Sequence, residues 1–155
     1  MITQATDDDL PDLVPLLRAL NALHVTHVPD RFHDQASDAA LLEVLRGARA
    51  QGARFLVYRT EGVARGYLKW QPMPAGVAAL EHPTRQAVLD HIYVEPIWRR
   101  RGLASRLIAR FEAEIAADFD GWVVRVHAFN RASAALMQRH GAVLAVQAYA
   151  KSVAG

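Results

Sequence analysis

The chain has 155 residues, 52% of them hydrophobic and 22% charged, and no cysteine; it can bury one core without staples and excludes a disulfide framework, a thiolate metal site and a cysteine nucleophile. The formal charge is only +2 at a sequence pI of about 9.3, too small an excess to argue for general nucleic-acid binding. No apolar run approaches the roughly 20 residues that span a bilayer, and the first residues lack a signal peptide's basic-then-apolar layout, so the expectation is one cytoplasmic domain over residues 1–155 with no membrane partner.

A short strand is expected at residues 2–5. Thr6 or Asp7 then caps a helix to about His24, whose apolar stripe runs through Leu10, Leu13, Val14, Leu17, Leu20 and Leu23. Pro11 suits its first turn, and Pro15 lies deep enough to bend it. After a loop with Pro29, a second helix runs from the cap Ser37 to about Ala50. Phe55–Tyr58 and Ala64–Trp70 flank Thr60-Glu61-Gly62 as a hairpin. The prolines and glycine of residues 71–84 make a loop, and a central strand follows at about 86–94. A helix over about Gly102–Ala117, a strand at Trp122–His127, a short helix at about Ala132–His140 stopped by Gly141, and a last strand at about 143–150 complete the chain. The expected class is α/β (α+β), with a mixed, mostly antiparallel sheet flanked by helices.

Residues 89–107 organise the rest: a strand, a Pro-terminated turn, an arginine-rich loop with one glycine, and a helix start. Backbone N–H groups at a helix N-terminus bind phosphate. Arg99, Arg100, Arg101, Arg106 and Arg110 crowd that helix start and oppose its dipole, a conflict that an anionic ligand removes. The acidic cluster Asp7, Asp8, Asp9 and Asp12 needs no ligand, because carboxylates suit a helix N-terminus.

Val94-x-Pro96-x-x-Arg99-x-x-Gly102-x-Ala104 resembles the acetyl-CoA-binding signature of the GNAT superfamily of N-acetyltransferases. The order of elements is similar to that fold over nearly the whole chain, and Asn130 with Gly141 resembles the family's second signature. The resemblance implies acetyl-CoA as co-substrate, its pyrophosphate wrapped by Arg99, Arg100, Arg101, Gly102, Leu103, Ala104 and Ser105. It also implies that the pantetheine arm lies along Ile92, Tyr93 and Val94 like an added strand, with Asn130, Ser133 and Met137 completing the cofactor side. A backbone N–H near Val94 then stabilises the thioester oxygen as it becomes negative.

Transfer to an amine needs a base, an oxyanion site and a route for protonating the departing thiolate. Strand parity puts Asp90, Ile92 and Val94 on one face and Leu89, His91 and Tyr93 on the other; if Ile92 and Val94 line the cofactor cleft, as the resemblance implies, Asp90 is the carboxylate nearest the acetyl group. The alternative is that Asp90 pairs with an arginine or binds the acceptor amine. A bulge in this strand would exchange the faces and promote His91. Many GNAT enzymes carry an acidic tyrosine seven residues after the asparagine; here Met137 stands there and cannot donate a proton, leaving water or Tyr149 of the last strand.

His24 and His27, with Asp30 and His33, have the spacing of a metal site. The resemblance favours a different role, lining the acceptor end of the cleft together with Phe32, and no metal is expected. His127, on a strand with Val124 and Val126, is read as facing solvent or cleft. The expected function is an acetyl-CoA-dependent N-acetyltransferase acting directly on a primary amine of a small molecule or protein, the alternative being a non-catalytic acyl-CoA sensor. GNAT proteins often dimerise, so a homodimer is a further expectation, whereas the short basic patch with Trp98 argues against a nucleic-acid partner.

Overall fold

Thr60, Glu61 and Gly62 turn the chain between β2 (Arg54–Thr60) and β3 (Val63–Pro72) in a computed structural model that describes residues 1–154. Glu61 and Gly62 both have positive φ, 51° and 77°, the conformation of a tight hairpin turn whose twist matches its strands. Two compact units are present, Met1–Arg125 and the stretch from Val126 onward.

The first unit holds a five-stranded sheet in the order β1-β2-β3-β4-β5, with β1 at Ile2–Gln4, β4 at Gln86–Val94 and β5 at Gly121–Val124. Neighbours are antiparallel except β4 and β5, which are parallel and joined through α3 (Leu103–Ile115). Side chains alternate across the sheet, so each strand feeds two cores. Phe55, Val57, Tyr67 and Tyr93 pack with α1 (Leu10–His27) and α2 (Asp38–Ala50). On the other face Trp70 meets Phe111 of α3 and Phe119, with ring centroids 5.6 and 5.7 Å apart. Covered on both sides, the middle of β3 is buried from Gly66 to Trp70, and Lys69 is the one charged residue in it.

The caps follow the expected chemistry. Ser37 Oγ accepts the Ala40 N–H at 3.1 Å and starts α2. The Asp9 carboxylate accepts the Thr6 N–H at 2.7 Å, which closes a capping box over a 3-10 turn, Asp7–Asp9, leading into α1. The α1 helix continues through Pro15 to His27, one turn beyond the expected end.

Arg59 ties this corner to the hairpin. Its guanidinium meets Asp9 at 2.7 Å and Asp12 at 2.8 Å, and donates to the Gly62 carbonyl at 3.0 Å. The Thr6 backbone hydrogen bond holds the Asp9 carboxyl below its usual range against the opposing effect of burial, and Arg59 adds to the lowering. Arg59→Met is therefore expected to cost about 1–3 kcal/mol, because Asp9 loses a charged partner while half-buried. Urea unfolding measures it, and an unchanged midpoint would remove this residue from the fold's supports.

In the second unit α4 spans Arg131–Arg139, and Asn130 Oδ1 caps it by accepting the Ser133 N–H at 3.1 Å. Gly141, at φ 86°, ends it as expected. Two expectations need correction. The strand read as Trp122–His127 is Gly121–Val124, because its ladder with β4 stops at Val124. Residues 143–150 form no strand: the apolar alternation is there, but a strand requires an edge to pair with, and among the described residues no ladder includes them. Val143, Leu144, Val146 and Tyr149 are exposed.

Candidate active site

The site begins with a fault in the β3–β4 ladder. Lys69 stands opposite His91, but the next residue, Trp70, stands opposite Leu89, so Asp90 is an extra residue on β4. The bulge breaks the period-two reading. Asp90 does not share a face with Ile92 and Val94; its carboxylate reaches Lys69 Nζ at 2.5 Å, on the side that Lys69, Tyr67 and His91 occupy.

At the same point β4 loses its other neighbour. The β4–β5 pairing ends at Leu89 opposite Val124, so Asp90 to Val94 run on without β5 beside them. The alternation of ladder bonds then decides which groups face that open edge. Glu95 N–H donates to the Arg65 carbonyl at 2.9 Å, which makes Val94–Gly66 a pair that exchanges no bonds. Tyr93 and His91 therefore direct their backbone groups to β3, while Ile92 and Val94 turn theirs to the open edge. The Val94 carbonyl accepts Arg99 Nε at 2.8 Å, anchoring the following loop.

That loop is built to expose N–H groups. After a 3-10 turn at Pro96–Trp98, Arg100 has φ 62° and Gly102 φ 73°, both left-handed. A Cβ at Gly102 would meet nothing within 4 Å, so the glycine serves the backbone angle and not close packing. Leu103, Ala104 and Ser105 precede the first bond of α3, Arg106 N–H to the Gly102 carbonyl at 3.0 Å, so their N–H groups have no intrahelical partner. No acidic residue occupies that first turn. Such a concavity of donors at the positive end of a helix suits a phosphate or pyrophosphate.

On the α1 face lies a polar cluster within an apolar surround. Tyr67 Oη is 3.0 Å from His91 Nδ1, and His91 Nε2 is 3.9 Å from Asp90 Oδ2, the same oxygen that meets Lys69. Burial depresses the His91 pKa to about 4; the Asp90 charge opposes this, while Lys69 and His24 of α1 reinforce it. Burial pushes the Asp90 carboxyl up, but the Lys69 hydrogen bond, with the charges of His91 and Lys69, outweighs it and the net shift is downward. Burial, helped by Asp90, raises Tyr67 far above the ordinary phenol range. At neutral pH the cluster is an ion pair beside an uncharged imidazole.

This has a consequence for stability. A histidine whose folded pKa lies below its unfolded value binds fewer protons when folded, so stability falls as pH drops from about 6.5 toward 4. Comparing wild type with His91→Gln between about pH 7 and pH 4.5, the wild type is expected to lose roughly 2 kcal/mol more. Equal losses in urea titrations would contradict a buried neutral imidazole.

The remaining expected residues divide clearly. Tyr93 and Leu103 bury their side chains in the core, so only their backbones border the open edge and the loop. Arg99 lies over the Tyr93 ring at 5.4 Å and Arg101 over Trp98 at 4.7 Å, which draws both guanidiniums back onto the protein. Within the second unit Asn130 is a helix cap, Met137 is buried, and the Tyr149 hydroxyl donates to Gln147 at 3.0 Å on the stretch that forms no strand. His24 packs on Phe32 with ring centroids 5.0 Å apart. The Asn21 amide donates to the His33 carbonyl at 2.8 Å, and Arg18 to that of Ala36 at 2.9 Å, pinning the Phe32 segment along α1. Lys69 and Tyr67 escape a sequence reading, although a lysine inside Tyr-Leu-Lys-Trp is an available signal.

Comparisons with known proteins bear on this geometry. The model of a family described as Acetyltransferase (GNAT) family matches residues 17–142. A search of curated proteins found no relative. Among solved structures, a mutant of the BH1408 protein from Bacillus halodurans has a TM-score of 0.85 at 15% identity, covering 99% of each chain. A ribosomal-protein-alanine N-acetyltransferase from Brucella melitensis biovar Abortus 2308 has a TM-score of 0.73 at 22% identity, covering 98% of this chain and 99% of its own. The aminoglycoside N-acetyltransferase AAC(6')-Iy, in complex with CoA, has a TM-score of 0.73 at 21% identity, covering 97% and 93%. At these identities the likeness is one of fold. No helix among the described residues is long and apolar enough to cross a membrane.

Proposed function

The chain belongs to the acetyltransferase (GNAT) family, and from that premise we propose that it transfers the acetyl group of acetyl-CoA directly to a primary amine of a small molecule or protein. One observation carries the reading: from the Asp90 bulge to Val94, β4 has β3 on one side and no strand on the β5 side, and it leads into a loop with left-handed residues whose N–H groups crown α3. An extended amide chain pairs with such an edge as a strand would, and a pyrophosphate suits the loop beyond it. The donor set fits coenzyme A on both counts.

When bound, acetyl-CoA supplies an activated thioester. The Val94 N–H, turned to the open edge, stabilises the carbonyl oxygen as the amine nitrogen bonds to the acetyl carbon. His91 accepts the proton that this nitrogen sheds; once acylated, the nitrogen is a far stronger acid than the free ammonium, so a weakly basic imidazole serves. The carbon–sulfur bond then breaks, and water protonates the departing thiolate, since Met137 cannot. Asp90, already paired with Lys69, is the poorer base. His24 and Phe32, whose rings pack together, line the acceptor side.

The test is release of free CoA from acetyl-CoA across a panel of primary amines. Turnover with at least one amine is expected. Binding of CoA without turnover on any amine would favour the second reading, a non-catalytic acyl-CoA sensor, which Met137 motivates.

A further inference from the structure

We propose that Lys69 is the positioning residue of His91: it holds the Asp90 carboxylate on its own ammonium and so keeps that carboxylate from pairing with the imidazole. The proposal rests on the acetyltransferase reading for its catalytic meaning, but its geometry stands apart from it. One oxygen, Asp90 Oδ2, faces two cations-in-waiting, Lys69 Nζ at 2.5 Å and His91 Nε2 at 3.9 Å. The bulge makes this possible, because an unbulged β4 would send Asp90 to the opposite face. Lys69 is nearly buried in the middle of β3, which is covered on both faces, where a charge persists only if paired.

The groups facing His91 come from three elements: Asp90 on its own strand, Lys69 and Tyr67 on β3, and His24 on α1. Burial is the main reason that His91 stays uncharged with a nitrogen lone pair to offer, and the Lys69 charge adds to it by offsetting that of Asp90. Without Lys69, Asp90 Oδ2 needs to move by only about 1 Å to make an ion pair with a protonated imidazole, which raises the midpoint of the ring. Below that raised midpoint the protonated imidazole is no base, so the pH range over which His91 can accept a proton narrows from the acid side. Lys69 thus touches neither substrate nor reacting atoms, and acts through the charge it removes from the neighbourhood of His91.

The experiment is an NMR titration of the His91 ring, assigned by its loss in His91→Gln, in four proteins without any ligand. Lys69→Met is expected to raise the midpoint by about one to two pH units, since Asp90 is left to favour the charged ring. Asp90→Asn should lower it, and the double variant, neutral and close in shape, should return it toward wild type. A Lys69→Met midpoint that stays put or falls overturns the proposal, as does a double variant that matches Lys69→Met. If Lys69→Met does not fold, the direction of shift in Asp90→Asn decides alone: an unchanged or raised midpoint overturns the proposal. The acid limb of the CoA-release profile should follow the NMR midpoints; a limb that stays fixed overturns the catalytic part. Wild-type protein with no turnover on any amine would overturn the acetyltransferase reading instead, because the midpoints are read without acetyl-CoA.

Discussion

Gly102→Asp is expected to weaken coenzyme A binding about 100-fold, equivalent to ~2.7 kcal/mol, with little loss of fold stability. Asp and Asn are the non-glycine residues that best tolerate the left-handed conformation Gly102 adopts at φ 73°. The new side chain also has room, since nothing lies within 4 Å of the added Cβ. What changes is charge: a carboxylate enters the ring of N–H groups that precedes α3, competing for the same donors and repelling the pyrophosphate. Gly102→Asn is the control, equal in shape but neutral, and should lose only a few-fold. Calorimetry with CoA separates them. Equal affinities for the Asp and Asn variants would mean that the loop does not hold the phosphates.

His91→Gln is expected to reduce turnover by roughly 100- to 10,000-fold while leaving CoA affinity within about two-fold. Glutamine keeps a polar group beside Tyr67 but cannot cycle a proton. The imidazole is depressed to about 4, so wild-type activity should persist well below neutrality and fall only as the ring charges. Steady-state CoA release against pH reads both effects. The reverse ranking, with Asp90→Asn inactive and His91→Gln active, would return the base to Asp90 and undo the role given to the bulge.

How much of this was written in the sequence depends on how local each signal is. Ser37 and Asn130 are legible as caps because their partners lie three residues away. The hairpin at Glu61-Gly62 and the left-handed glycine at 102 are legible for the same reason. The Asp90 bulge is not, because period-two parity assumes an unbroken register, and register belongs to two strands together. Lys69 could not be matched to Asp90 until β3 and β4 were paired, 21 residues apart. The stretch 143–150 failed in the opposite direction: Val143, Leu144 and Val146 have the composition of a strand, but composition supplies no partner edge. The order of elements in the family carried the fold class, while the residues around the bulge had to come from geometry.

If the open edge of β4 and the loop before α3 together hold coenzyme A, their backbone N–H groups lose exchange with solvent when it binds. Amide hydrogen exchange resolved to single residues, with and without CoA, reads this loss. The N–H groups of Ile92, Val94, Leu103, Ala104 and Ser105 are expected to become protected on binding, while those of His91 and Tyr93, already directed to β3, change little. Binding of CoA that leaves Ile92, Val94 and the first turn of α3 exchanging as before would contradict that placement of coenzyme A.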